Sequence, residues 1–248
     1  MDNIPAGSEL TVSRVPILYP KHQRNDFLKG EFNWSDCECI RCKISEDSLG
    51  SYLNQLDKKM TAFDCPVGGC KGTLIKRDRS GVCDQCGHVL ENCMEDFTKL
   101  LLQFNEFSVL AQTPKQGEKD LLDRIQYLKS EANRLKMNCF NAHLIQLQLI
   151  EAKMRKDRLT ELRKKKDDGT LKEHLANYIT VLKDILRMMN VMTPKNYPTR
   201  AFYTLDLGYA LLALGDLAGV KYLEQAKNVL SISYGERLAD ECMKLETL

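Results

Sequence analysis

The sequence predicts a mainly α-helical protein with small metal-ordered segments near its start. Seven of its ten cysteines lie in two tight clusters before residue 87, and from about Leu90 onward apolar residues recur at helical period almost to the end. With 248 residues and 43% hydrophobic content, the chain can bury one good core or two modest ones.

Taken in order, residues 1–35 show an apolar alternation at Leu10, Val12 and Val15 between Pro5, Gly7, Pro16 and Pro20. This fits a short strand ending in a loop, with too little apolar surface to form a core unaided. The strand is therefore expected to need partners upstream of it. Residues 36–60 hold Cys37-x-Cys39-x2-Cys42, followed by a helix with Ser45 or Asp47 as N-cap and Leu49, Tyr52, Leu53 and Leu56 on one face. Residues 61–89 hold Cys65-x4-Cys70 and Cys83-x2-Cys86, and residues 90–248 form a helical domain.

In that domain the clear breaks are Thr113-Pro114, Asp167-Asp168-Gly169, Thr193-Pro194, Gly215 and Gly235, which implies six or seven helices. A helix over Thr199 to Leu214, a Gly215-Asp216 turn and a second helix through Leu230, with Ala226 four residues after Tyr222, resemble a tetratricopeptide hairpin. The basic run from Lys153 to Lys166, interrupted by Asp157 and Glu161, reads as a solvated helix end.

A net charge of +2, from 36 basic and 34 acidic residues, gives no field that selects nucleic acid or an anionic membrane. No stretch reaches the ~18 apolar residues of a membrane span, and Met-Asp-Asn-Ile-Pro has no leader character. The expectation is an intracellular protein, cytoplasmic or nuclear, whose clustered cysteines bind metal rather than form disulfides.

Cys65, Cys70, Cys83 and Cys86 offer four soft sulfur donors in two turns, which suits tetrahedral zinc. Gly72 and Gly87 fit turns that fold backbone N–H groups toward thiolates and tolerate positive φ. Thr73-Leu-Ile-Lys and a turn at Arg79-Ser-Gly81 complete a small hairpin, so the unit reads as a zinc ribbon. Four protein thiolates leave no open position, which makes this zinc structural.

Cys37, Cys39 and Cys42 form most of a second zinc site, one ligand short, with Cys93 and Cys139 as candidates for the fourth. Both lie in helical segments, where burial as a hydrophobe is the commoner role. His88 reads as a surface residue or a neighbour of the ligands, and His22, His143 and His174 as surface or core-edge residues. There is no Gly-rich phosphate loop, no G-x-S-x-G and no H-E-x-x-H.

Ile4-Pro-Ala-Gly-Ser-Glu-Leu-Thr-Val-Ser, Gln23-Arg24 to Phe27-Leu28, and Cys37-Glu-Cys39-Ile-Arg-Cys42 together resemble the end of a SET domain and the post-SET zinc motif of the SMYD (SET and MYND) protein-lysine methyltransferases. The resemblance continues through Leu49-Gly-Ser-Tyr-Leu, the zinc-ribbon insertion and the helical half, and is nearest to the arthropod type. It implies a SET remnant over 1–35, a post-SET segment over 36–60, a zinc-ribbon-like insertion over 61–89 and a tetratricopeptide-like domain over 90–248. In that family the SET core moves a methyl group from S-adenosylmethionine to a lysine amine, and the post-SET cysteines hold the loop that completes the channel.

Two departures bear on activity. The MYND finger and the Asn-His-x-Cys segment that binds cofactor and supplies the fourth zinc ligand are not in this sequence, so S-adenosylmethionine has a pocket only if that core is supplied. Arg14 stands where the family places its catalytic tyrosine, and Tyr19 is offset by five residues; a permanently charged guanidinium repels both ammonium and sulfonium. Trp34, three residues before Cys37 rather than the usual two, is the residue the resemblance places over the adenine. The expected function is thus the C-terminal part of a lysine N-methyltransferase, inactive as this chain alone, whose helical domain holds a protein partner. Substrates in the intact family would be histones or other lysine-containing proteins. A zinc-binding helical adaptor is the alternative, and a nucleic-acid-binding ribbon, resting on Arg163 to Lys166, is a more distant one.

Overall fold

A computed structural model describes residues 18–34, 52–112, 117–165 and 168–245. The expected strand at Leu10 to Val15, Arg14, the cluster Cys37, Cys39 and Cys42, the Ser45 or Asp47 cap, and Thr113-Pro114 lie outside them. The chain divides into two compact units at Ile150/Glu151.

The first unit begins with α1 (Lys21–Phe32), which starts on the fixed φ of Pro20 and ends where Asn33 takes the left-handed conformation. The apolar pattern does not announce this helix, because its inward residues are only Arg24 and Leu28. Arg24 is 3% exposed. Its guanidinium donates to the Tyr19 carbonyl at 2.6 Å and to both oxygens of Asp57 at 3.1 and 3.4 Å, tying α1 to α2 (Tyr52–Lys59). A buried guanidinium needs this pairing, since desolvating it alone costs several kcal/mol, on the order of 3–5.

Three short strands follow: β1 (Leu74–Arg77), β2 (Ser80–Cys83) and β3 (Val89–Leu90), antiparallel in the order β1-β2-β3. Arg77 pairs with Ser80, so the hairpin turn is Asp78-Arg79 rather than Arg79-Ser-Gly81. Asp78 has φ +51°, a left-handed conformation its short polar side chain tolerates. Gly81 is strand instead of turn: a Cβ there would lie 3.1 Å from Cys93 Sγ, where the sheet meets α3 (Cys93–Leu110).

Helix α3 buries Phe97, Leu100, Phe104 and Phe107, and α4 (Glu118–Arg134) buries Leu121, Ile125, Leu128 and Ala132; both stripes have i, i+3/i+4 spacing. Phe97 stacks flat on Phe63 at 3.7 Å. The segment containing Phe63 is held from the far side by a loop the sequence pattern leaves as helix. Lys136 takes φ +55°, the Asp64 N–H donates to the Lys136 carbonyl at 2.6 Å, the Asn138 amide donates to Asp64 Oδ1 at 2.6 Å, and Asn141 Nδ2 reaches the Ala62 carbonyl at 3.3 Å. Asn141 also caps α5 (Ala142–Lys165), its Oδ1 accepting from the His143 N–H at 3.1 Å. This break makes seven helices after Leu90 among the described residues.

The second unit comprises α5 from Glu151, α6 (Asp168–Met192), α7 (Pro198–Ala213), α8 (Ala218–Tyr234) and α9 (Glu236–Leu245). Pro198 opens α7 where its missing N–H costs nothing, and the Gly215 turn is a Schellman motif: Gly215 N–H to Leu212 carbonyl, Asp216 N–H to Leu211 carbonyl. Asp216 Oδ1 then accepts from the Ala218 N–H at 2.9 Å. Ala201, Leu205, Ala226, Leu230 and Ala239 form a shared core of α7, α8 and α9. The Tyr209 hydroxyl donates to the Met243 carbonyl and holds the last helix down.

The basic run is not simply a solvated helix end. Arg155 is buried against Glu151 at 2.7 Å, and Lys156 reaches the buried Asp206 at 2.7 Å. The reason is helical geometry: positions 151, 155 and 159 fall on one face, and that face turns inward to Leu159, which is fully buried.

Candidate metal centre

Cys65 and Cys70 lie in the loop before β1, and Cys83 and Cys86 at the end of β2 and in the loop that follows it. Antiparallel pairing of β1 with β2 sets Leu74 opposite Cys83 and brings the two loops to the same end of the sheet. The segment entering the first loop is fixed too, since the Cys65 N–H donates to the Gly72 carbonyl at 2.9 Å and the Asp64–Thr73 bridge lies beside it. Asp84 ties the loops together: Oδ1 accepts from the Thr73 N–H at 2.8 Å and Oδ2 from its hydroxyl at 3.2 Å.

As a result the Sγ atoms of Cys65, Cys70, Cys83 and Cys86 all lie within 4.8 Å of one another. The Cys65–Cys86 and Cys70–Cys83 separations are both 3.6 Å. Four sulfurs at ~2.3 Å from a tetrahedral zinc stand about 3.8 Å apart, so the constellation fits that ion. The coordination sphere would be filled by protein thiolates, a structural arrangement with no position for substrate.

Backbone N–H groups are already aimed at the sulfurs. Gly72 N–H points at Cys70 Sγ (3.4 Å), and the N–H groups of Gln85 and Cys86 point at Cys83 Sγ (3.4 and 3.5 Å). The Cys86 and Gln85 donors hold the Cys83 thiol down to about 7, against its burial. Burial pushes Cys65 up to about 12. Cys70 also sits above its ordinary value: Gly72 N–H pulls it down, but burial and the neighbouring Cys83 thiol outweigh that. One thiolate, Cys83, is thus nearly formed by the fold, and the metal's charge has to drive deprotonation of Cys65 and Cys70.

The glycines divide the work differently from the sequence expectation. Gly87 has φ +70°, as a positive-φ turn demands, and Gly69, not singled out beforehand, has φ +80°. Gly72 has no positive φ; a Cβ there would lie 2.5 Å from Cys83 Sγ and 2.8 Å from Asp84 Oδ1, so it is small because the two loops close over it. Asp84 was legible only as the residue after a ligand, and its role appears once Thr73 is placed opposite.

His88 contributes its carbonyl, accepting from the Cys83 N–H at 2.8 Å, and its ring is not among the clustered ligand atoms. Cys93 is buried behind Gly81, and burial raises its thiol, as suits a hydrophobe. Cys139 is exposed. Trp34 follows α1 with its ring 5.8 Å from Phe32 and tilted by 40°, about half exposed. Among the described residues no helix is long and apolar enough to cross a membrane.

No protein-family model matches the chain. Two curated sequences are similar to part of it. "SET domain-containing protein SmydA-8, isoform A" of Drosophila melanogaster is 34% identical over 73 residues, 29% of this chain and 14% of the relative. Isoform B is 34% identical over 74 residues, 30% of this chain and again 14% of the relative. The matched stretch therefore spans about one-seventh of these relatives' length, and it supports a partial relationship between this mainly helical, cysteine-clustered chain and SET domain-containing SMYD proteins.

Proposed function

We propose that this chain corresponds to the C-terminal part of a SET and MYND protein-lysine N-methyltransferase, in which zinc orders the region next to the catalytic core and the helical unit holds a protein partner. The four-cysteine cluster carries this reading: four thiolates at zinc spacing, with the coordination sphere filled, assign the metal to architecture instead of chemistry. The partial similarity to a SET domain-containing relative supports the family assignment. Under this reading Cys37, Cys39 and Cys42 bind a second zinc with a ligand from the SET core, and Trp34 beside them faces the cofactor when that core is present. Arg14 in the tyrosine position and the lack of an Asn-His-x-Cys segment in this sequence leave the chain without methyl transfer of its own.

The test is calorimetric titration with S-adenosylmethionine of this chain and of the chain joined to a MYND–SET segment from a relative, alongside zinc analysis of both. Cofactor binding by the joined protein alone is the expected result, with one zinc ion on this chain by itself and, in the joined protein, a second on Cys37, Cys39 and Cys42 besides those of the MYND finger. Methyl transfer to a lysine peptide by this chain alone overturns it. A zinc-dependent helical adaptor is the second reading, favoured by the filled metal site, and cofactor binding by neither protein selects it.

A further inference from the structure

Among the described residues the β1 side of the small sheet is an open edge beyond Leu74, and it borders a cleft. Two-residue hairpins place hydrogen bonds between the residues that flank the turn, here Arg77 and Ser80. Bonded pairs then alternate, so Ile75 bonds to Val82 while the backbone groups of Leu74 and Lys76 point away from β2. The hydrogen bonds at the end of the sheet agree with that parity. Leu74 N–H donates outward to the Phe63 carbonyl at 2.8 Å, Asp84 N–H bonds to the Thr73 carbonyl at 3.0 Å, and Cys83 N–H turns from β1 toward His88.

The chain that begins to pair with β1, at Asp64–Thr73 and Phe63–Leu74, leaves it at once. Before Phe63 it belongs to the turn ending α2, with Met60 N–H on the Leu56 carbonyl and Thr61 N–H on the Lys58 carbonyl. Among the described residues the outward N–H and carbonyl of Lys76 have no strand opposite them, and between them and α2 lies a cleft of about 850 Å³. Phe63 and Phe97 line its apolar part, and Lys21, Lys58 and Lys76 stand around it. Its one carboxylate among the described residues, Asp57, is engaged by buried Arg24.

We infer that this cleft takes a short acidic segment of a partner protein in extended conformation, added as a strand beside Lys76. Open strand edges template such additions; main-chain bonds hold the segment, and side-chain pockets select it. Here the selection is for carboxylates by three lysines, with an apolar residue between carboxylates reaching Phe63 and Phe97. The inference does not rest on the methyltransferase reading, since it needs only the sheet edge and the charges around it.

The probes are three blocked peptides added to the full zinc-loaded chain: acetyl-Glu-Val-Glu-Ile-Glu-amide, its all-lysine counterpart acetyl-Lys-Val-Lys-Ile-Lys-amide, and the acidic peptide N-methylated at valine and isoleucine. Two-dimensional amide spectra and hydrogen exchange are the readouts. The acidic peptide shifts the Lys76 amide and slows its exchange, binds at least about tenfold tighter than the lysine peptide, and loses roughly tenfold in affinity on N-methylation. Lys21→Glu with Lys58→Glu, checked for full zinc content, reverses the peptide preference.

Equal binding of acidic and basic peptides, shifts that map away from β1, or no effect of N-methylation overturns the inference. So does slow exchange of the Lys76 amide in the free chain, because the edge would then already be covered from within. Since zinc loading is measured separately and no cofactor is present, failure here leaves the methyltransferase reading untouched.

Discussion

Gly208 on α7 and Gly219 on α8 face each other so closely that a methyl group on Gly219 would lie 2.5 Å from the Gly208 carbonyl oxygen, and one on Gly208 would lie 3.1 Å from that of Gly219. The hairpin of the second unit is built on this contact between backbones, with Leu212 and Leu223 closing over it.

Gly219→Ala is therefore expected to destabilise the helical unit. Alanine gains about 1 kcal/mol of helix propensity, but the clash is with backbone that cannot rotate away, and overpacking of that kind costs roughly 1–3 kcal/mol or more. Gly208→Ala meets mainly the Leu223 side chain, which can move, and is the milder change. Urea unfolding followed by far-ultraviolet circular dichroism ranks the two, and a Gly219→Ala chain as stable as the parent refutes the close contact.

Zinc binding by the four-cysteine site is expected to weaken as pH falls. Cys65 and Cys70 sit above the ordinary thiol value, so binding must expel their protons, while Cys83, at about 7, is already largely thiolate above that pH. Competition with a chelating dye between pH 8 and 6 should give affinity that drops with each step. A pH-independent affinity contradicts thiolate ligation, and Cys70→Ala serves as the variant that fails to hold zinc against the dye.

Asp206 is expected to be the most sensitive polar position in the second unit. Its two oxygens accept from Tyr178 on α6 and from Lys156 on α5, each at 2.7 Å, and so join three helices through one buried carboxylate. Asp206→Ala removes the acceptor both share and should cost about 3–5 kcal/mol, whereas Tyr178→Phe deletes one hydrogen bond and should cost about 1. Equal losses in the two variants would show that the carboxylate is not the hub.

His143 gives the first unit an acid-sensitive component. Burial holds its pKa below the ordinary value, with His22 nearby adding to the effect, and its ring lies 5.9 Å from Phe104. The fold thus favours the neutral ring, so this contribution is complete above the unfolded value of about 6.5 and is lost as pH falls from there toward the lower folded value. Thermal unfolding at pH 7.5 and 5 should show a drop that His143→Gln reduces; a variant with the same drop assigns the acid sensitivity elsewhere.

Much of this protein follows from short-range chemistry. Four cysteines in two turns, Pro198 at a helix start, and Gly215 and Gly235 in positive-φ turns act through their immediate neighbours, and the candidate ligands and most helix ends follow from them alone. What the pattern missed has distant causes. The loop at Lys136 to Asn141 exists because Asn138 and Asn141 bond to groups 74 and 79 positions away, and α1 holds through an Arg24–Asp57 pair 33 positions apart. Gly72, Gly208 and Gly219 look alike in the sequence, yet each is small because another part of the chain lies against it. Local conformational preference is written in neighbouring residues, whereas which donor meets which acceptor, and where no side chain fits, is set only when separate segments pack.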